Sequence, residues 1–142
     1  MQVPELVANS TTGDNGQPSH ITVQHILIGF DGSVPGKNIS RNQDEARQLA
    51  GEILSQARSG ENFKKLVEQN TDDSAPGIYH MANFGAQSDM YAADDADKVF
   101  PRDGMVPAFG DTGFPLEVGE IGMSEYHAQK SPFGWHIVKR LR

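Results

Sequence analysis

Hydrophobic positions recur at two different periods along this chain. In Ile21-Thr22-Val23-Gln24-His25-Ile26-Leu27-Ile28, apolar and β-branched residues dominate, and the run reads as a strand. A second strand is predicted from Trp135 to Leu141, behind a turn marked by Pro132 and Gly134. There Trp135, Ile137 and Leu141 share one face and His136 and Val138 the other, because strand side chains alternate with period two. Between these runs the period changes. Ala46, Leu49, Ala50, Ile53, Leu54 and Ala57 follow the spacing of one buried helix face. Asn42 with Glu45 three residues on supplies a capping-box start, and Gly60 a stop. A shorter helix is predicted over residues 62–69, with Phe63, Leu66 and Val67 turned inward. Residues 78–84 read as a further strand. Met105 and Phe109, four apart, would share a face of a helix that Gly110 and Gly113 keep short.

The connections have their own signatures. Residues 29–39 carry Asp31-Gly32 and Pro35-Gly36, and residues 71–77 carry Asp72, Asp73, Pro76 and Gly77, so both read as loops. Residues 1–19 are rich in Thr, Asn, Gly, Gln and Pro without periodicity, and a flexible leader is expected there. The remaining 20–142 form one domain. Strand, two helices, strand, short helix and strand give an α+β fold, expected as a small sheet of about four strands with antiparallel pairs and about three to four helices.

Composition narrows the functions open to such a domain. Nineteen acidic against twelve basic residues leave a net charge of −7, which argues against nucleic acid or an anionic membrane as partner. The chain has no cysteine, so disulfides, thiolate metal sites and a cysteine nucleophile are excluded. No apolar run approaches the ~20 residues of a membrane span. No basic segment followed by an apolar one opens the chain, so a cytoplasmic location is expected, or an exported form whose signal has been removed.

A histidine at the centre of an apolar strand must place a donor and an acceptor nitrogen, and this chain has one in each terminal strand, His25 and His136. Four ordered motifs accompany them: His25-Ile26-Leu27-Ile28, Thr71-Asp72-Asp73-Ser74, Gly104-Met105-Val106-Pro107-Ala108-Phe109, and Ser131-Pro132-Phe133-Gly134-Trp135-His136-Ile137-Val138-Lys139. In this order they resemble the frame of the parvulin-type peptidyl-prolyl cis/trans isomerases, over about residues 20–142. The resemblance implies isomerisation of X-Pro bonds with no cofactor and no metal, on proline-containing peptides and unfolded or client proteins, by a monomer. It implies that Met105 and Phe109 form a proline pocket, with Phe84 where the family has a leucine. It implies catalytic-site positions for His25, Asp73, Ser131 and His136, expected as one hydrogen-bond network that supports the cleft floor. Ser131 stands for the family's usual threonine, and Asp73 for a position that is cysteine in some members and aspartate in many.

The chain also departs from the frame. Met81-Ala82 occupies the neighbourhood of a family Gly-Gly, and an acidic stretch at about residues 86–103 reads as an insertion, most simply a solvated loop. The first loop holds only Lys37 and Arg41 against Asp31, too little positive charge to capture a phosphorylated residue before proline. Other classes fit less well. A peptide-binding chaperone module of the same fold would use the pocket without turnover. A metalloenzyme lacks ligand spacing among His20, His25, His80, His127 and His136, and a serine hydrolase lacks its nucleophile elbow.

Overall fold

The computed structural model describes residues 15–142. Strand β1 (His20–Ile28) is followed by helices α1 (Gln43–Arg58) and α2 (Phe63–Asn70). Strands β2 (Ile78–Ala82) and β3 (Val99–Pro101), helix α3 (Pro107–Gly113), and strands β4 (Ile121–Ser124) and β5 (Trp135–Arg140) complete the domain. The strands form one mixed sheet in the order β3-β2-β1-β5-β4. All pairings are antiparallel except β2 with β3, which is parallel.

β1 lies at the centre and is covered on both faces, so every residue from Ile21 to Ile28 is buried, the polar Thr22, Gln24 and His25 included. On one face Ile26, Ile28, Trp135 and Ile137 pack with α1 and α2 through Ala46, Ala50, Ile53, Phe63, Leu66 and Val67. On the other, Ile21, Val23, Met81 and Val138 pack with Phe109 and Phe114 at α3. The division follows the alternation of the two strands residue by residue. The capping box of α1 forms as expected: Glu45 N–H donates to Asn42 Oδ1 and Asn42 N–H to Glu45 Oε1, both at 2.8 Å. Asn62 caps α2 through Lys65 N–H, so the shorter helix begins one residue later than its spacing predicts.

Three expectations need correction. The sheet has five strands, because the acidic insertion contributes β3. Its Phe100 pairs opposite Met81 on the outer edge of β2, and Asp89 and Val99 exchange backbone hydrogen bonds of 2.8 and 2.7 Å. Residues 99–101 of that stretch are therefore built into the sheet, while most of residues 84–98 stay exposed as a loop. Met105 precedes α3, whose first residue is Pro107, so Met105 and Phe109 are not on one helical face. The leader ends before Ser19: Asn83 N–H donates to Ser19 O, and Asn83 and Arg102 both bond side chains within residues 15–18. The expectation for residues 1–14 lies outside the described residues.

The turn into β5 depends on Gly134. Its φ is +136°, and a Cβ there would sit 2.1 Å from Ile28 O of the neighbouring strand. Gly134→Ala therefore meets both a backbone penalty and a clash with an immovable carbonyl. We expect it to cost at least about 2–3 kcal/mol, read as a drop in the urea midpoint, while Gly32→Ala, with open space at its Cβ, costs less.

Candidate functional site

The pairing of β1 with β5 sets His25 opposite Val138 and Leu27 opposite His136. Both histidines thus point from the same face of the sheet, toward α3. Their rings stack at 5.5 Å between centroids with planes 17° apart, and the two Nδ1 atoms lie 3.4 Å apart. They are 4% and 3% exposed. Only one of two facing Nδ1 atoms can carry the proton in a neutral pair.

Asp73 completes this group from the loop after α2. Thr71 Oγ1 accepts from Leu27 N–H at 3.1 Å and from Asp73 N–H at 3.2 Å, while Asp72 N–H donates to Leu27 O at 2.8 Å. Asp72 Oδ2 accepts from Gly29 N–H and from the Arg41 guanidinium. The four-residue motif is thereby clamped to the end of β1, with Asp72 as the clamp and Asp73 free to face the cleft. Asp73 Oδ2 comes within 3.3 Å of His25 Nε2, outside hydrogen-bond alignment. Gly77 closes the same loop: it accepts from His25 N–H at 3.0 Å, and a Cβ on it would come 2.7 Å from His25 O.

The electrostatics follow from burial. His136 is held down at about 3, chiefly because burial penalises the imidazolium and secondarily because His25 is beside it. It is neutral at pH 7. Asp73 lies below its ordinary value, with the His25 imidazole as the largest cause and burial opposing it. Tyr79 is raised by burial and then by the Asp73 carboxylate.

Above this group opens a cleft of about 370 Å³. Met105, Val106 and Phe109 line one side, Tyr79 and Phe100 a second, and Val34, Pro35 and Phe133 a third. The first loop reaches it because Ser33 Oγ donates to Phe133 O at 2.9 Å. Phe109 lies 4.8 Å from the His25 ring and meets Tyr79 edge-on at 5.5 Å. Among the described residues no three His, Asp or Glu side chains are grouped to hold a metal ion.

Of the residues singled out from sequence, His25, Asp73, Met105, Phe109 and His136 converge on this cleft. Ser131 and Phe84 do not. Ser131 is fully buried and gives its hydrogen bond to Gly134 O at 2.5 Å. The expected four-member network is thus the trio His136, His25 and Asp73, and Ser131 instead shapes the turn that delivers His136. Phe84 is 46% exposed and lies outside the cleft, its ring 4.5 Å from the Arg102 guanidinium. The aromatic wall from β2 is Tyr79, which the sequence reading missed, as it missed Phe100 and Arg102. Alternation along β2 is the signal that could have found Tyr79, since it shares a face with buried Met81. Arg102 is buried between Phe84 and Phe114. It reaches Gln17 at 2.7 Å, Asn83 at 3.0 Å and Asp111 at 2.9 Å, joining the insertion to α3 and to the start of the domain.

A five-stranded mixed sheet with a buried histidine pair, an acid and an apolar cleft is the architecture of the parvulin class. The family model described as the PPIC-type PPIASE domain matches residues 8–141, and the chain belongs to that family. The chain is 31% identical over 134 residues to Chaperone SurA of Chromohalobacter salexigens, spanning 91% of this chain and 25% of that protein. It is 32% identical over 117 residues to Chaperone SurA of Alkalilimnicola ehrlichii, 82% of this chain and 21% of that one. It therefore spans about a quarter or less of the length of these curated relatives. Among solved structures, peptidyl-prolyl isomerase ESS1 from Candida albicans superposes with a TM-score of 0.65 at 22% identity, covering 99% of this chain and 76% of that one. The solution structure of TbPIN1 does so at 0.61 and 19% identity, covering 87% of this chain and 98% of that one. These two likenesses establish the fold.

The neutral His136 predicts how stability depends on acid. Its folded pKa of about 3 lies below the ordinary 6.5, so between those values the unfolded chain takes up a proton that the folded one refuses. Its contribution is whole above pH 6.5 and is lost as the pH falls toward 3, at about 1.4 kcal/mol per pH unit. Asp73, also lowered, adds to the loss below its ordinary value of 3.8. Urea unfolding between pH 7 and 4 should show this slope in the parent and a shallower one in His136→Leu.

Proposed function

We propose that this domain isomerises X-Pro peptide bonds in unfolded or client proteins, without requiring a phosphorylated residue before proline, and so assists folding. The observation that carries this is the cleft, where an apolar recess at Met105 and Phe109 abuts the fixed polar trio of Asp73, His25 and neutral His136. The X-Pro amide resists rotation by ~18–20 kcal/mol because of its partial double bond. No covalent bond is made or broken in turning it, so the protein needs only to hold the twisted amide better than the planar one.

The cleft supplies two means. Its apolar walls hold the proline ring and strip water from the planar amide, whose charge separation water favours. The Asp73 carboxylate, ionised at neutral pH, faces a carbonyl oxygen that is most negative in the planar form, and so disfavours that form. The histidines brace the floor from beneath. Every wall of the cleft comes from one chain, so a monomer suffices, and the net charge of −7 argues against nucleic acid as a partner.

Arg41 bears on phospho-selectivity. Its guanidinium is engaged by Asp72 and by Gly29 O at 3.0 Å, which leaves Lys37 as the first loop's only unengaged cation among the expected pair. A phosphate arriving there would meet Asp73 as well. The second reading, a peptide-binding chaperone module without turnover, draws on the chaperone relatives, and the same assay separates the two.

The purified domain should accelerate cis-to-trans relaxation of Ala-Pro and Leu-Pro peptides in a protease-free assay; folded protein inert at micromolar concentration would favour the binding module. Met105→Ala is the cleaner pocket variant, being half-buried, whereas Phe109→Ala, at 2% exposure, should lose about 3–5 kcal/mol of stability. For both, kcat/KM per folded molecule should fall further than the folded fraction does. In a paired series, Ser-Pro and phosphoSer-Pro peptides should react with the phosphorylated member no faster, and a clear preference for it would refute the reading of Arg41.

A further inference from the structure

The cleft is short of hydrogen-bond donors. Four of its lining residues carry polar side chains: His25, Asp73, Tyr79 and His136. The two imidazoles are buried and turned on each other and on Asp73. His25 Nε2 faces Asp73, the two Nδ1 atoms face each other, and His136 Nε2 is buried away from the cleft surface. An ionised Asp73 only accepts. Tyr79 remains, the one lining side chain with an O–H to offer outward.

Its neighbours fix the ring that carries that hydroxyl, and the hydroxyl interacts with Asp73. On β2 Tyr79 pairs opposite Val23, and its ring is held edge-on by Phe100 and Phe109, both at 5.5 Å, and by His25 at 5.5 Å. The hydroxyl hydrogen still rotates about the C–O bond, so it can serve either Asp73 or a substrate atom beside it. Burial and the Asp73 charge keep the phenol protonated beyond its ordinary range. Tyr79 and Phe109 meet edge-on and both line the cleft, so a ring seated on Phe109 has the Tyr79 ring alongside.

Which substrate atom gains from a donor follows from the chemistry of the twist. In the planar amide the nitrogen lone pair is delocalised into the carbonyl and accepts poorly. A donor on the carbonyl oxygen would favour the planar form and slow the reaction. As the bond twists, the nitrogen becomes pyramidal and its lone pair localised, so a hydrogen bond to nitrogen exists only near the top of the barrier. No atom changes its covalent partners.

We propose that the Tyr79 hydroxyl is a catalytic hydrogen-bond donor to the prolyl nitrogen of the twisted X-Pro bond. This rests on the isomerase reading above. The test compares the parent chain with Tyr79→Phe, which removes the oxygen and keeps the braced ring, and with Tyr79→Leu, which removes both. Because the bond is made only in the transition state, Tyr79→Phe should lose about tenfold in kcat with KM unchanged, the scale of one net hydrogen bond. Its melting temperature and its affinity for a proline peptide should match the parent. Tyr79→Leu should show the same kcat loss together with a raised KM, since a wall of the pocket has gone. A Tyr79→Phe variant with parental kcat would overturn the inference while leaving isomerisation standing. So would a loss that appears in KM and melting temperature instead of kcat, which would mark a structural role. A parent chain inert on every X-Pro peptide would overturn the isomerase reading and this inference together.

Discussion

Two imidazoles buried side by side on one face of the central strand pair constrain everything else in this domain. Apolar packing alone would tolerate a range of side chains at positions 25 and 136. A buried ring with two nitrogens does not tolerate a range of surroundings, because each unpaired polar atom costs about 1–3 kcal/mol. The register of β1 against β5 is thus fixed twice, by the apolar residues on both faces and by the 3.4 Å approach of the two Nδ1 atoms. A slip of one residue between the strands would send one histidine into the helix-covered core and part it from the other.

The cleft is what surrounds that pair. The 71–74 loop is tied to the end of β1 and carries Asp73 to His25. The turn before β5, built on Ser131 and Gly134, delivers His136. The insertion adds β3 and with it the Phe100 wall, and Arg102 anchors its far end between two aromatic rings. That arginine is buried with three polar partners, the condition under which a buried charge holds a structure together instead of loosening it. A Cβ on Gly110 would approach its side chain at 2.6 Å, so the helix that presents Phe109 is shaped around it.

Much of this was legible in the sequence wherever the information is local. Asn42 with Glu45 states a helix start in four residues, and alternation in β1 and β5 states which residues share a face. The histidine pair and the pocket residues Met105 and Phe109 were legible because they sit inside ordered motifs. What escaped depends on partners distant along the chain. β3 is three residues long and ends in Pro101, tolerable because the strand lies at the sheet edge; only the open edge of β2 makes it a strand. Phe84 matches a family leucine in sequence but lies in a turn beyond β2, and only the path of that strand shows that Tyr79 walls the cleft. Ser131 was linked to histidines because a hydroxyl beside an imidazole invites that reading, whereas its bond closes a local turn. Arg102 could not be read at all, since its two aromatic partners lie on opposite sides of it in sequence.

The pairing of β1 with β5 also orders events in time. His25 and His136 are 111 residues apart, and closing a loop of that length is among the slower steps open to a small domain. On a growing chain, α1 and α2 can form and collapse on β1 while β5 is still unmade, leaving the helix-covered face short of Trp135 and Ile137 and the other without its second histidine. The cleft is therefore the last part of this domain to form. A ribosome-bound fragment that ends before β5 can be helical and compact, yet it lacks the strand that carries His136, and with it the floor on which a proline would turn.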